Sequence, residues 1–253
     1  MNLDRQPEDA DRRKAVIWYG CLAFLCFVGA WKAAGFRWAP IWPSAGLIAQ
    51  GLWLSIQLSI LSTAIGLAAA IPLAVARVHG SSFARIPAVF LIEIVRATPE
   101  LMVIFWVYFG APAITGQPID GWTAALVAMS IIAASYLAEV IRAGLYSVDK
   151  GQWEAAASTG LNNWQSFKWI ILPQAISNMM PALLSQVIML FKTTSLVSMV
   201  GVIDFFRAAQ ITNSNTFSPY AIYTLVGIGY FIICGTLSLV VKRWRGRVSA
   251  VGA

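Results

Sequence analysis

Residues 153–175 read WEAAASTGLNNWQSFKWIILPQA, a polar stretch set between two of the most apolar runs of the chain. The segment 154–158 favours helix because its centre consists of good helix formers. Gly160 can take the left-handed conformation that ends a helix without a steric penalty. Asn162 or Asn163 can then cap a second short helix. The stretch therefore predicts two short helices joined by an elbow at Gly160.

The composition around this stretch is that of a membrane protein. Hydrophobic residues make up 58% of the 253 residues, charged residues only 11%, and the mean hydropathy is +0.70. A soluble domain carries roughly a quarter charged residues, so the bilayer must be the main solvent of this chain. Runs of about 20 apolar residues are long enough to cross a bilayer. Six such runs predict an all-α integral membrane protein with about six transmembrane helices: 15–35, 51–77, 85–111, 122–147, 176–200 and 220–241.

Proline interrupts the helical pattern at two places. Pro99 disfavours the helical conformation at Thr98, so the run 85–111 is expected to break there. The result is one helix near the membrane surface, followed by a shorter spanning helix. Pro173 is expected to mark the turn between the polar stretch and the span that follows it.

The distribution of lysine and arginine predicts the orientation of the chain. If all six runs cross, the basic residues gather on the side of the N-terminus, and the loop 111–122 on the other side carries none. Cytoplasmic loops carry the excess of basic residues, which places the tails 1–14 and 242–253 and the stretch 153–175 in the cytoplasm. This bias also explains the formal net charge of +7. Nucleic-acid binding is not expected, since no basic stripe with interleaved aromatic residues is present.

The spacing within 153–175 resembles the EAA loop of permease subunits of type I ATP-binding-cassette (ABC) importers. In that loop, EAA is followed after three residues by G and after nine more by I-x-L-P. Glu154-Ala155-Ala156, Gly160 and Ile170-x-Leu172-Pro173 fit every fixed position. Four further segments resemble the core of the family: GLWLSIQLSILSTAIGL (51–67), EIVRATPELMVIFWVYFGAP (93–112), SYLAEVIRAGLYSVDKGQWEAA (135–156) and LFKTTSLVSMVGVIDF (190–205). Together they most resemble the polar amino-acid uptake branch, which includes histidine, glutamine, glutamate, arginine and opine permeases.

Two positions and one segment depart from the family pattern. Glu100 follows Thr98-Pro99 where an apolar residue is more usual, and Thr193 stands where an acid is expected. The run 15–35 is an extra N-terminal helix outside the five-helix core, which is expected within 51–241. These departures leave the identity of the solute open.

The resemblance implies a division of labour among several chains. Two permease subunits, identical or related, form the translocation pathway in the bacterial inner membrane, and two ATPase subunits bind beneath them. An extracytoplasmic solute-binding protein delivers the solute. ATP and Mg²⁺ belong to the ATPase, so this chain is expected to hold no cofactor or metal and to catalyse no reaction itself. The residues expected to couple it to the ATPase are Glu154, Ala155, Ala156, Gly160, Leu161 and Pro173.

Ionisable side chains within the spans are the candidates for solute contact or gating, because charges at membrane depth are costly and face protein or water. Two pairs, Glu93 with Arg96 and Glu139 with Arg142, have i,i+3 spacing and can meet on one helix face. They are either structural ion pairs near the cytoplasmic end or functional groups. In the functional alternative, Glu139 faces the pathway and contacts a cationic part of the solute, or either pair rearranges during gating. The candidates for the substrate pathway or gating are Glu139, Glu100, Arg96, Lys192, Thr194 and Ser195.

The sequence leaves two other classes of protein to weigh. A secondary transporter driven by an ion gradient would suit the buried charges and the broken helix, but it leaves the spacing within 153–175 unexplained. A membrane enzyme is not expected, since the single histidine, His79, has no visible partner for acid–base or metal chemistry. The sequence contains no G-x-x-x-x-G-K-[ST] loop, so ATP hydrolysis requires another chain.

Overall fold

The computed structural model describes residues 38–251 together with Gly29, Gly35 and Phe36, and for 242–251 it describes the backbone alone. The tail 1–14 and, apart from the two glycines, the predicted first span 15–35 lie outside the described residues. All regular structure within the described part is helical. After a 3₁₀-helix over Ala39–Ser44, the helices are α1 (Ala45–His79), α2 (Ser82–Ala97), α3 (Glu100–Thr115), α4 (Gly121–Tyr146), α5 (Lys150–Ser158), α6 (Asn163–Val200), α7 (Phe205–Thr216) and α8 (Pro219–Val251).

Among the described residues, four helices are long and apolar enough to span a bilayer: α1, α4, α6 and the part of α8 up to Val241. The shorter apolar helix α3 accompanies them. The prediction of an all-α membrane protein is therefore confirmed. The count of six spanning helices stays a prediction, because the first of the six lies outside the described residues.

The chain breaks between α2 and α3 at the position predicted from Pro99. Thr98 has an extended backbone (φ −97°, ψ 139°), and Pro99 forms the N-cap of α3. The Thr98 hydroxyl donates a hydrogen bond to the Ile94 carbonyl at 2.7 Å, which satisfies one of the free carbonyls at the end of α2. The apolar run 85–111 thus forms two helices, α2 and α3, which the extended residue Thr98 separates.

The turn predicted at Pro173 does not form, and that prediction was wrong. Helix α6 passes through Pro173 because residues 167–171 form a π-helical turn, in which the Leu172 N–H donates to the Phe167 carbonyl. A proline ring clashes with the carbonyl four residues earlier in a regular α-helix, and the wider turn accommodates it. The second short helix of the polar stretch is therefore the first part of a span.

Small residues allow α1 and α4 to pack closely. A Cβ atom at Gly66 would overlap the Ala133 side chain and lie 3.0 Å from the Ala134 backbone nitrogen. The α1 face that carries Gly66 also carries three buried serines: Ser55, Ser59 and Ser62. Fully buried apolar side chains of the same core are Leu58, Ala125, Ala128, Met129 and Ile132. The small residues of α1 therefore serve helix packing, as their spacing of three or four residues in the sequence predicts.

The bundle has two distinct ends, which we name by the elements found there. The loop end contains the C-terminal ends of α1 and α4, helix α5 and the start of α6. The opposite end contains the start of α4 and helix α7, where the carboxylate of the fully buried Asp204 accepts hydrogen bonds from the Phe206 and Arg207 amides. Burial raises the pKa of Asp204 to about 6. The Phe205 amide donates to the Ser55 hydroxyl at 3.0 Å, which fixes α7 on α1.

Candidate functional site

The polar stretch at the loop end begins with helix α5, which presents different faces to the protein and to solvent. The Asp149 carboxylate caps α5 by accepting from the Gly151 amide at 2.7 Å. Glu154 and Ala155 are exposed, whereas Ala156 is 1% exposed. The two alanines therefore have different environments. Ala156 packs against the bundle, and Ala155 lies on the outer face beside Glu154.

The elbow at Gly160 has the geometry that the sequence predicts. Gly160 has a φ of +79°, and a Cβ atom there would meet nothing within 4 Å. The requirement for glycine therefore comes from the backbone conformation and not from crowding. Beyond Leu161, which is half-buried, Asn162 and Gln165 form a reciprocal capping box with bonds of 2.9 and 3.0 Å that starts α6. The predicted elbow at Gly160 and the predicted cap at Asn162 are confirmed, whereas the second helix is not short, because it continues as the span α6.

The polar stretch is fastened to the ends of the spans. The Gln174 side-chain amide donates to the Gln152 side-chain oxygen at 3.1 Å and so ties α6 to α5. The Asn178 amide donates to the Ser147 hydroxyl at 2.9 Å and ties α6 to the end of α4. Beneath these bonds lies a small apolar cluster of buried residues: Val148, Ile171, Ala175 and Met179. A displacement of α5 would therefore move the ends of both α4 and α6.

The outer surface of the polar stretch is rich in tryptophan. Trp153 is 39% exposed, and Trp164 and Trp169 are each 67% exposed, while Pro173 is also exposed. Beside them is a groove of about 530 Å³, to which the ends of α1 and α4 contribute. His79, the final residue of α1, lines this groove. The lining also includes Tyr146, Lys150, Glu154 and Phe167. Aromatic and charged groups thus stand together on a surface that the described part of the chain leaves open.

A network of ion pairs joins three helices at the loop end. The Arg77 guanidinium lies 2.9 Å from the Glu93 carboxylate and 3.2 Å from the Glu139 carboxylate. Glu139 also pairs with Arg142 at 2.5 Å, and Glu93 lies 3.6 Å from Arg96. Both i,i+3 pairs expected from the sequence are present. The sequence did not reveal Arg77 as their hub, because its position near the end of α1 reads as an ordinary basic residue next to a loop.

Substitution of Arg77 by methionine should destabilise the bundle by about 1–2 kcal/mol, since it removes a half-buried charge shared by two carboxylates. The side chains of Arg77 and Glu139 are 18% and 21% exposed, so solvent screens this pair less than a surface pair. Thermal unfolding of the purified protein measures the loss. The matched control is Arg85→Met on α2, where the arginine is exposed. Equal melting temperatures for the two variants would contradict a structural role for the network.

The pathway candidates do not form one cluster. Glu139 and Arg96 belong to the loop-end network, and the Arg96 guanidinium lies 5.8 Å from the centre of the Tyr136 ring. Lys192 is exposed on α6 and lines a groove of about 470 Å³ against α8. The hydroxyls of Thr194 and Ser195 each donate to a backbone carbonyl three residues earlier at 2.8 Å. Both hydroxyls therefore donate their hydrogen bonds to backbone carbonyls of their own helix.

Glu100 contacts Thr193, the other position at which the sequence departs from the family pattern. The Thr193 hydroxyl donates to the Glu100 carboxylate at 2.6 Å. Glu100 and Thr193 are the two positions where the motifs depart from the family pattern, an added acid in α3 and a missing acid in α6. The structure brings both departures into direct contact, although 93 positions separate them along the chain.

Comparison with known proteins gives a consistent result. The family described as "binding-protein-dependent transport system inner membrane component" matches residues 62–247. The glutamine transport system permease protein GlnP of Escherichia coli (strain K12) is 34% identical over 214 residues, which cover 84% of this chain and 98% of that protein. The glutamate/aspartate import permease protein GltK of Escherichia coli O157:H7 is 35% identical over 224 residues, which cover 85% of this chain and 99% of that protein.

Two solved structures have the same fold. The crystal structure of an amino acid ABC transporter with histidines aligns with a TM-score of 0.79 at 31% identity, covering 83% of this chain and 98% of that chain. The methionine ABC transporter MetNI, in an inward-facing conformation, aligns with a TM-score of 0.68 at 20% identity, covering 81% of this chain and 98% of that chain, and shows the fold alone. With the family match over most of the sequence and relatives matched over nearly their whole length, this chain belongs to the family of inner membrane components of binding-protein-dependent transport systems, the permease subunits of ABC importers.

Proposed function

We propose that this chain forms the translocation pathway of an ATP-driven importer of amino acids or related polar solutes and is coupled to a separate ATPase through residues 153–175. The observation that carries the proposal is the construction of this stretch. Helix α5 and the start of α6 meet at a glycine elbow, hydrogen bonds join α5 to α6 and α6 to the end of α4, and Glu154 and Ala155 are exposed on the outer face. The relatives GlnP, a glutamine transport permease, and GltK, a glutamate/aspartate import permease, support an amino-acid solute.

In this function, the two faces of residues 153–175, which we call the coupling stretch, have different tasks. Glu154, Ala155, Gly160, Leu161 and Pro173 lie towards the ATPase, and Ala156 holds the stretch against the bundle. A rigid-body rotation of the partner is transmitted only through an element that packs firmly at both of its ends. The bonds from α6 to Gln152 and Ser147 supply that firmness on the membrane side.

The partners follow from the same division of labour. Two ATPase subunits hold ATP and Mg²⁺ and catalyse the hydrolysis, a second permease completes the pathway, and an extracytoplasmic binding protein supplies the solute. The protein is then a multi-pass component of the bacterial inner membrane with both termini in the cytoplasm. In this orientation the loop end faces the ATPase, and the pathway candidates Glu100, Lys192, Thr194 and Ser195 lie deeper in the membrane.

Reconstitution tests the proposal. The chain is purified with its candidate ATPase, placed in liposomes with the binding protein, and assayed for solute-stimulated ATP hydrolysis and for solute uptake. We expect uptake that requires ATP and all three components. Uptake by this chain alone, driven by an ion gradient and indifferent to ATP, would instead identify a secondary transporter.

Reversal of the charge at Glu154 should weaken the association with the ATPase. Glu154 is exposed on α5, so Glu154→Lys leaves the bundle intact but places a cation where the proposed interface holds an anion. We expect the affinity for the ATPase to fall about tenfold or more, because a mispaired charge in an interface costs several kcal/mol. Co-purification and titration in detergent measure the change. Asn215→Lys, at an exposed position of α7 at the opposite end, should leave the affinity unaltered, and an equal loss in both variants would refute the assignment.

A further inference from the structure

An apolar groove runs along the bundle between α1 and α8. Its upper part, of about 280 Å³, lies at the opposite end, and its lower part, of about 390 Å³, lies deeper in the membrane, where α6 forms the floor. Leu52 lines the upper part and Ile56, one turn further along α1, lines the lower part, so both parts follow one face of α1. Trp42 and Ile60, which also line it, are 74% and 59% exposed. The described residues therefore leave this groove open.

The chain enters its described part at the mouth of this groove. The Phe36 ring stacks on the ring of Tyr220 at the start of α8, with 5.9 Å between the ring centres. The 3₁₀-helix Ala39–Ser44 then leads into α1. Its Ile41 is 5% exposed, packs in a cluster with Phe205 and also lines the upper part of the groove. The predicted span 15–35, which lies outside the described residues, is thus tethered beside the upper part.

The length of the segment 15–35 suits the groove. As a helix it would be about 31 Å long, which matches a bilayer core of about 30 Å. In the predicted orientation the basic residues of the tail 1–14 hold its start on the cytoplasmic side, so it runs antiparallel to α1. Helices that follow each other through a short connection are usually antiparallel neighbours. The groove beside α1 is therefore within reach of this segment.

The sequence of 15–35 gives it a face suited to close packing. At helical spacing, one face carries small residues on either side of a phenylalanine: Gly20, Ala23, Phe27, Ala30 and Ala34. In a bilayer, helices associate through packing and not through the hydrophobic effect, and small residues allow the closest approach. This face is therefore the one expected to meet another helix.

The second groove beside α8 does not suit the segment. That groove, of about 470 Å³, lies between α6 and α8 and is lined by Lys192, Ser195 and Ser238. A lysine at membrane depth requires a carboxylate or water. The segment 15–35 contains no aspartate or glutamate and carries a lysine of its own, Lys32. The apolar groove between α1 and α8 matches its chemistry instead.

We propose that residues 15–35 dock in the groove between α1 and α8 of the same chain, with the small-residue face towards α1. The tether at Phe36 makes this docking intramolecular, which gives the segment an advantage in effective concentration over a second copy of the chain. At the α-helical rise, Ala30 then lies at the depth of Ala49 in the upper part, and Ala23 lies at the depth of Ile56 in the lower part. The docking does not depend on the identity of the solute or of the ATPase.

Disulfide cross-linking in membranes tests the docking. The background lacks the native cysteines: Cys21→Ser, Cys26→Ser and Cys234→Ser. One variant carries Ala30→Cys with Ala49→Cys, and a second carries Ala23→Cys with Ile56→Cys. A disulfide requires Cα atoms about 4.4–6.8 Å apart, so it forms only if the helices are in contact. We expect oxidation to remove the reaction of both cysteines with a maleimide-linked polyethylene glycol, while the protein still migrates as a monomer.

The control pairs Ala30→Cys with Phe109→Cys, which is 64% exposed on α3, a helix that does not line the groove. Its cysteines should stay reactive after oxidation. Size exclusion shows that each variant is folded, which alanine-to-cysteine changes at exposed positions should permit. Reactive cysteines in both groove pairs of the folded protein would overturn the proposal and leave the groove to lipid. Cross-linked dimers would overturn it in favour of a second copy, and equal cross-linking of the control would show that the segment has no fixed site.

Discussion

Replacement of Gly66 by valine should prevent the stable assembly of the helix bundle. Gly66 lies in the tight contact between α1 and α4, and a side chain there would overlap the Ala133 methyl group and stand 3.0 Å from the Ala134 nitrogen and 3.1 Å from the Ser130 carbonyl oxygen. Backbone atoms cannot move aside as a flexible side chain can. Overpacking of a tight core costs about 3 kcal/mol at the upper end of its usual range, and a rigid backbone obstacle places this site there or beyond.

Valine at Gly46 provides the control for this prediction on the same helix. A Cβ atom at Gly46 would meet nothing within 4 Å, so Gly46→Val changes helix propensity by the same amount without a clash. Yield after extraction, elution on size exclusion and melting temperature should drop sharply for Gly66→Val and little for Gly46→Val. Equal behaviour of the two variants would show that α1 and α4 can separate at Gly66 without loss of stability.

The parts of the site that the sequence predicts best are those whose causes are local. The sign of φ at Gly160, the cap at Asn162 and the break at Thr98 each depend on one residue and its immediate neighbours. A glycine that must be left-handed, an asparagine side chain next to free amides and a proline that restricts the preceding residue act in the same way in any fold. The two-helix form of the coupling stretch therefore follows from its local sequence.

The parts that the sequence does not reveal depend on contacts between distant segments. Arg77 becomes the hub of a network only because α1 ends beside Glu93 of α2 and Glu139 of α4. Continuity through Pro173 depends on the π-helical turn before it, for which no residue pattern gives a signal. Glu100 and Thr193 look like two unrelated departures from a motif until the fold brings α3 and the end of α6 together. The signal in the sequence is that one position gains an acid and another loses one. A comparison of such complementary departures from the family pattern could have predicted this contact.

In the proposed function, these two groups of residues have different tasks. The stretch 153–175 keeps one form while the ATPase moves, and its cap at Asn162 and the left-handed Gly160 specify that form locally. The contacts of Arg77 with Glu139 and of Glu100 with Thr193 join different helices. Ion pairs and hydrogen bonds between helices are the interactions that a rotation of one helix against another would alter.

Replacement of Gly160 by proline should uncouple ATP hydrolysis from solute transport while the bundle stays folded. Proline fixes φ near about −65°, whereas Gly160 has a φ of +79°, so the elbow between α5 and α6 must adopt another angle. The outer face formed by Glu154 and Ala155 then no longer matches a partner shaped for the original angle. An incompatible proline costs more than about 1 kcal/mol locally, and the misdirected helix should lower solute-stimulated ATP hydrolysis and uptake about tenfold or more.

Gly116→Pro is the matched control, because Gly116 has nearly the same environment at the other end of the molecule. Its φ is +69°, a Cβ atom there would also meet nothing within 4 Å, and its amide donates to the Pro112 carbonyl at 2.9 Å, as the Gly160 amide donates to the Ala157 carbonyl at 3.3 Å. Both prolines therefore impose the same strain and remove one comparable hydrogen bond. If only Gly160→Pro loses coupling while the two variants have the same melting temperature, the angle of the elbow carries the motion of the ATPase into the membrane. If both variants transport normally, α5 and α6 do not need a fixed angle, and coupling must run through another contact.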